Sequence, residues 1–480
     1  MGAGLLVTDG YKFSMAEAGW PLRDETFSST HRRGGLQVVP FDLERELRSV
    51  LPQATPADWA FLAGCEDEMG AGFKAAIAQA GQVRVRALPR FSVFFDREPL
   101  FTVSGPSAVV SWLEPLVLMW SYRIQVATVA CFRPDELAAA VGTVTCERQR
   151  QLVLETLDAV GVKAPPITVD SEGYVARVTA RVKELVEVVG TPARLFEVGL
   201  RAASCVEQHL LALEGCKAAG LTRTSNVAGA KTLGLTPVGT MGHEHVQRYG
   251  SDEAAFRAMV ERRPNRSSFL LDTFDTIRSG IPTAYRIIAE RPGAHDSIRF
   301  DSGDKEAQYR HAVKAAREQG LTPVMILEDG FDTAQTRRFE ALRQEVGWPA
   351  EAQVYGYGGF LVGQTASTPL TRDRVSAVYK LTQTGARPCM KFGNEAGAGK
   401  QSIPGQPVVW RRLPGASGPF GIVAQHGEPV PSGYRLLTGS EAASSVDVQA
   451  ARAVRSEDLR LVHSPATQAL IDQLTREAFG

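Results

Sequence analysis

From about Thr191 the chain falls into short apolar runs that end in polar or glycine residues, each followed by a helical stretch: ARLFEVG, LTRTSN, TPVGTMGH, SSFLLDT, SIRFDSGD, TPVMILEDG, AQVYGYGG and SAVYKLT. Strands that alternate with helices predict a parallel sheet with crossover helices. Four of the run ends, at Asp272, Asp301, Asp329 and Gly358, recur about every 28 residues, the length of one βα unit, and eight such units would close a barrel. Residues 191–385 are therefore expected to form an α/β barrel, irregular in places.

The flanking sequence reads differently. Residues 82–103 alternate apolar and polar side chains and carry turn residues such as Pro89 and Asp96, which predicts antiparallel strands. A helix is expected from about Ser107 to Thr128, helical or mixed structure over 147–190, and a terminal helix near 465–479. From about Arg387 the chain turns rich in glycine, proline and serine. The expected class is α/β, in three parts: an N-terminal α/β domain (1–145), a barrel that carries the site (146–386), and a C-terminal segment (387–480) packing back on the N-terminal domain.

With 480 residues and 44% apolar content, the chain can bury full-sized cores. Its 53 basic residues equal its 53 acidic ones, so no overall field draws it to nucleic acid or an anionic membrane, and any anion site must be local. The six cysteines are scattered, without disulfide or zinc spacing, which fits a reducing cytoplasm. No export signal or membrane span is expected, since the apolar stretch from Trp112 to Trp120 is interrupted by Glu114 and Pro115.

In an α/β barrel the working residues lie at the C-terminal strand ends, where the βα loops share one mouth. Those ends carry Glu197 and Arg201, Thr224 and Ser225, His243, Asp272 and Asp275, Asp301 and Asp304, Asp329 and Asp332, and the glycines Gly356, Gly358 and Gly359. Any one acid there reads as a helix N-cap. Together with a glycine cluster, a histidine and an arginine before an acid pair, they point to a site. The YGYGGF turn offers backbone N–H groups and a helix dipole to a phosphate. Arg299 precedes carboxylates suited to ribose hydroxyls or magnesium. A phosphorylated sugar is the expected ligand, and Arg32, Arg372 and Lys380 could close over a pyrophosphate, from a neighbouring subunit if the chain dimerises.

At this point several motifs, in order over about the first 400 residues, resemble those of the nicotinate and nicotinamide phosphoribosyltransferase family: LLVTDGYKFSM, HRRGG, SGPSAVVSWLEPLVLMW, VGLRAAS, TSNVAGAKTLG, GTMGH, LLDTFDT, IRFDSGD and YGYGG. The resemblance implies a type II phosphoribosyltransferase-like irregular α/β barrel, with a second α/β domain formed by the N- and C-terminal segments. It implies ATP-dependent transfer of phosphoribosyl from phosphoribosyl pyrophosphate to nicotinate, with Mg2+, in a homodimer with shared sites. By resemblance Tyr11 covers the pyridine ring across the dimer interface and Arg299 lies on its other face. Asp301 and Asp329 hold the ribose hydroxyls, and Gly358 and Gly359 cradle the 5′-phosphate with Arg201 facing the same region. Arg32, Arg372 and Lys380 meet phosphates, His243 is phosphorylated by ATP, and Asp272 orients it. No protein ligand to a metal is assigned. Val198 and Glu328 depart from the family pattern. Ser225, where the nicotinamide branch carries aspartate, could donate to nicotinate. The alternatives are a nicotinamide or quinolinate enzyme, or a noncatalytic phosphosugar-binding barrel.

Overall fold

Seven of the eight apolar runs form one parallel sheet. In the computed structural model, which describes residues 3–65, 68–363, 370–392 and 401–479, its strand order is Thr236–Pro237, Arg223–Thr224, Leu195–Glu197, Gln353–Tyr357, Val324–Leu327, Ser297–Phe300, Ser268–Leu270. The register aligns the chemistry: Glu197 sits opposite both Thr224 and Tyr357, and Leu327 opposite Phe300 and Tyr355. Residues of the two outermost strands, Pro237 and Ser268, line the same cavity, so the sheet is curled. Among the described residues those outer strands do not pair with each other, and the result is a half-barrel with an open seam.

The eighth run corrects the expected count. Ala377–Thr384 joins an antiparallel sheet ordered Arg387–Pro388, Ala377–Thr384, Asp24–His31, Pro99–Pro106, Arg84–Ala87. Its burial alternates along the strand, whereas Ser297–Phe300 is buried throughout. A strand covered on both faces is apolar at every position; a strand with one wetter face can place Lys380 there. The antiparallel strands expected over 82–103 are present.

The helix predicted from Ser107 is broken into Ser107–Trp112 and Glu114–Phe132, with Pro115 in the first turn of the second. Glu114–Phe132 is long and apolar enough to cross a membrane, but 89% of the qualifying window is buried inside the protein. The terminal helix spans Pro465–Phe479, and residues 393–400 of the glycine-rich tract lie outside the described residues.

The C-terminal strands Pro407–Arg412, Gly421–Gln425 and Tyr434–Leu436 are tied to the N-terminal part through Arg411. Its guanidinium donates to both oxygens of Glu98, at 2.9 and 2.8 Å, and Glu98 is fully buried. Removing one member of such a pair strands a charge in the interior. Glu98→Ala should therefore lower the unfolding free energy by about 3–5 kcal/mol, read by urea denaturation; a loss below about 1 kcal/mol would show that the pair does not anchor the C-terminal segment.

Candidate active site

The acid pairs at the strand ends divide into two jobs. The second member of each is a cap: Asp275 accepts from the backbone N–H groups of Ile277 and Arg278, Asp304 from Ala307 and Asp332 from Gln335. Of the first members, Asp272 and Asp301 turn toward His243, whereas Asp329 is exposed.

These two gather around His243. Its Nδ1 lies 3.1 Å from the Thr273 hydroxyl, and its Nε2 lies 3.2 Å from Asp301 and 2.7 Å from the Lys391 ammonium. An ammonium only donates, so where Lys391 bonds to Nε2 the imidazole proton sits on Nδ1. Burial, then Lys391, holds the His243 pKa below its usual value, against the pull of Asp272 and Asp301. Asp272 is not the hydrogen-bonded partner the resemblance implied: its nearest oxygen is 3.7 Å from the ring, and its other oxygen accepts from Ser302. Ligand atoms of His243, Asp272 and Asp301 lie within 4.8 Å of one another, a grouping that sequence reading assigned to no metal. One Asp272 oxygen is buried without a hydrogen-bond partner.

Arg299 crosses the seam. It donates to the Thr240 hydroxyl beyond the opposite outer strand and stands 3.6 Å from Asp301 and 3.9 Å from Glu328. Burial alone would lower its pKa, but Glu328, Asp301 and Asp272 raise it. Burial likewise raises the Glu328 pKa, with Arg299 opposing.

A cavity of about 810 Å³ fills the curled sheet, and Asp9, Tyr11, Arg201, Ser225, Thr240 and Glu328 line one end of it. Tyr11 reaches this cavity within its own chain, donating to Glu114 at 2.9 Å with Arg201 5.9 Å from its ring. The glycines of GTMG serve the same contact: a Cβ at Gly239 would lie 2.4 Å from the Tyr11 nitrogen, and one at Gly242 would lie 3.3 Å from the Tyr11 ring. The room that these glycines leave is taken by the N-terminal segment.

Ser225 is also committed, donating to Asp9 at 2.7 Å, so its proton is not free for a ligand. Asp9 was missed in sequence, although it stands in the quoted DGYK motif. Burial raises its pKa, against Arg201 at 3.5 Å and Ser225. Lys12, Glu114, Thr240, Glu244 and Lys391 were missed as well; none of them ends a strand of the parallel sheet.

The phosphate side is less compact. Arg32 and Lys380 line a separate cavity of about 50 Å³ with Arg97. Arg372 bonds to Asp373 at 2.6 Å, and a Cβ on Gly359 would meet that same carboxylate group. The helix after the glycine turn is only Gly359–Val362. Neither Gly358 nor Gly359 is among the residues lining the large cavity. Asp329 is exposed, with a left-handed φ of 58°.

Sequence and fold comparisons agree on one group of proteins. The chain is 29% identical over 376 residues to a nicotinate phosphoribosyltransferase of Homo sapiens, covering 74% of this chain and 65% of that protein. It is 30% identical over 216 residues to one of Bacillus subtilis, covering 44% and 41%. The chain is similar in sequence to the nicotinate phosphoribosyltransferases. It spans less than two thirds of the length of these curated relatives. No family model matches it. Solved structures of nicotinate phosphoribosyltransferases from Porphyromonas gingivalis (TM-score 0.60, 18% identity, 84% of this chain and 96% of that one) and Vibrio cholerae (TM-score 0.56, 17% identity, 82% and 88%) share its fold. This is the type II phosphoribosyltransferase fold.

One cation of the site should be switchable. Burial holds the Lys380 ammonium down to about 7, helped by Lys391, Arg201 and Arg32 and opposed by Glu114. An anion that binds beside it favours the charged form, so binding above pH 7 must take up a proton. Pyrophosphate affinity should fall as pH rises from 7 to 9, by up to about tenfold per unit. Lys380→Arg, which stays charged, should flatten that slope. Equal slopes in titration calorimetry of the two proteins would refute the role.

Proposed function

We propose that the protein is a cytoplasmic nicotinate phosphoribosyltransferase of NAD biosynthesis, transferring phosphoribosyl from phosphoribosyl pyrophosphate to nicotinate with ATP as co-substrate. The observation that carries the reading is that Arg201 lines the large cavity with Asp9 and Glu328, and that Arg299 stands behind Glu328 with Asp301 beside it. A flat anionic base needs a cation at its carboxylate, and a reacting anomeric carbon needs fixed negative charge opposite it.

In this reading the pyridine nitrogen attacks the anomeric carbon as its bond to pyrophosphate breaks, and Asp301, held by Arg299, faces the developing positive charge. Tyr11 closes one side of the base pocket, with its hydroxyl fixed on Glu114. The unpartnered oxygen of Asp272 fits a hard cation, so Asp272 and Asp301 would hold Mg2+. When bound, Mg2+ supplies compensation for charge on the leaving pyrophosphate. ATP would phosphorylate His243 at Nε2, the nitrogen with the Lys391 ammonium beside it to meet the incoming charge.

Assays with nicotinate, nicotinamide and quinolinate, each with and without ATP, test this directly. Nicotinate should give the highest kcat/KM and ATP should raise it. Arg201→Gln should lower kcat/KM for nicotinate about 100-fold, the loss of a charged hydrogen bond worth about 2–3 kcal/mol, and nicotinamide use should fall far less. Faster use of nicotinamide by the unmodified protein overturns the choice of base.

The protein is further proposed to be a homodimer in which each chain completes its own site, because Tyr11 and Arg201 line one cavity of a single chain and Lys380, which lines a second cavity with Arg32, stands 3.9 Å from the Glu114 carboxylate that holds Tyr11. Mixed and re-associated Arg32→Ala and Asp301→Ala chains should then regain no activity; recovery to about a quarter of the unmodified rate would return the shared-site arrangement.

A further inference from the structure

Glu197 ends a strand at the mouth, is fully buried, and has no part in the chemistry above. Its carboxylate accepts from three donors on three elements. One oxygen takes the backbone N–H of Gly199, two residues before Arg201, and lies 2.9 Å from Nε2 of His209 on the helix Val206–Ala218. The other takes the Thr224 hydroxyl at 2.6 Å, one residue before Ser225. His209, also fully buried, places Nδ1 2.9 Å from the side-chain nitrogen of Asn226.

The proton positions follow from the network. The Asn226 side-chain oxygen accepts from the Gly229 N–H at 3.0 Å, which leaves its NH₂ group facing His209. Nδ1 must therefore accept, and Nε2–H donates to Glu197; this tautomer is assigned from partners. Asn226 also forms a backbone bridge with Asp9, and the Gly10 N–H donates to the Ser225 carbonyl at 2.8 Å. One buried carboxylate thus reaches all three members of the Arg201, Ser225 and Asp9 corner, the first and third through a loop and an imidazole. Gly199 has no room for a side chain, since a Cβ there would lie 2.6 Å from Glu197 and 2.5 Å from Val362.

We infer that Glu197 and His209 are positioning residues that set Arg201 against the Asp9–Ser225 pair, and so determine how tightly the corner holds the carboxylate of an aromatic base. The inference rests on the proposed function and on taking Arg201, which lines the large cavity beside Tyr11, as the cation that meets that carboxylate rather than the 5′-phosphate. Neither residue touches substrate. A neutral imidazole is the group that can donate to Glu197 while accepting from Asn226, and glutamine offers the same one donor and one acceptor on a flexible stem.

The full-length protein and its His209→Ala, His209→Gln and Glu197→Gln variants are compared well below their Tm values. His209→Ala should raise KM for nicotinate at least tenfold with kcat changed less than threefold, and His209→Gln should return KM to within about threefold of the unmodified value. Amide hydrogen exchange supplies a substrate-free measurement. In His209→Ala, residues 8–11, 199–203 and 225–227 should exchange faster together, by tenfold or more, and His209→Gln should restore them. Glu197→Gln keeps its oxygen for Gly199 and His209 and loses its acceptor for Thr224, so it should show a smaller change of the same pattern; it stands in if His209→Ala does not fold. Unchanged KM, or faster exchange confined to the helix around residue 209, overturns the positioning role. Failure of the unmodified protein to use nicotinate, with the three segments still loosening together, would remove the substrate reading and leave the coupling standing.

Discussion

The ammonium of Lys12 is buried with two carboxylates, 2.8 Å from Glu114 and 3.0 Å from Glu244, and much of the site depends on that contact. Burial works against the charge, yet the two carboxylates raise its pKa, so the lysine stays an ion. The three residues lie on the helices Tyr11–Glu17, Glu114–Phe132 and His243–Tyr249. Detaching any one of these helices would strand charge in the interior, where an unpaired ion costs several kcal/mol. The N-terminal segment is therefore bound to the barrel mouth as firmly as a strand would be.

That attachment is what makes the open seam workable. Among the described residues the two outer strands of the seven-stranded curled sheet do not pair with each other, and the segment around Tyr11 packs against Gly239 and Gly242 beside one of them. Arg299 spans the seam to Thr240. Glu114 then serves several cations, with Arg201 at 3.6 Å and Lys380 at 3.9 Å in addition to Lys12, and these hold its carboxyl well below the usual range despite burial. The base end of the site and the phosphate side share one buried carboxylate, which links their electrostatics through protein alone.

Charge in the mouth is arranged in alternation. Arg299 lies among Asp301 and Glu328, Arg201 between Asp9 and Glu114, and His243 between Asp301 and Lys391. Arg201 is held by carboxylates of other segments, Asp9 and Glu114, and Arg299 by Glu328 of the next strand end, so these parts of the mouth are ordered before any ligand arrives. Preorganised groups of this kind need little rearrangement when charge develops beside them. Beneath them the caps Asp275, Asp304 and Asp332 start the following helices, which keeps the first acid of each pair in place.

The sequence by itself determined the parallel sheet, because strands covered on both faces must be apolar throughout and must end where the chain meets water, and that pattern recurs from Leu195 to Tyr357. It also determined which strand ends gather polar residues, since motifs such as IRFDSGD and GTMGH hold theirs within a few positions of those ends. Only the tertiary structure decided which acids cap a helix and that Asp272 and Asp301 instead gather at His243, because both acids of a pair lie within a few residues of a strand and differ only in the direction of a turn. It decided that Ala377–Thr384 leaves the barrel for the antiparallel sheet, that Tyr11 lines the cavity of its own chain, and that Ser225 gives its proton to Asp9. Those outcomes rest on contacts between residues up to several hundred positions apart, such as Lys12 with Glu244 and Ala377 with His31. Local periodicity carries no record of such pairings, which arise only when the folded chain brings opposite charges and unpaired strand edges within reach.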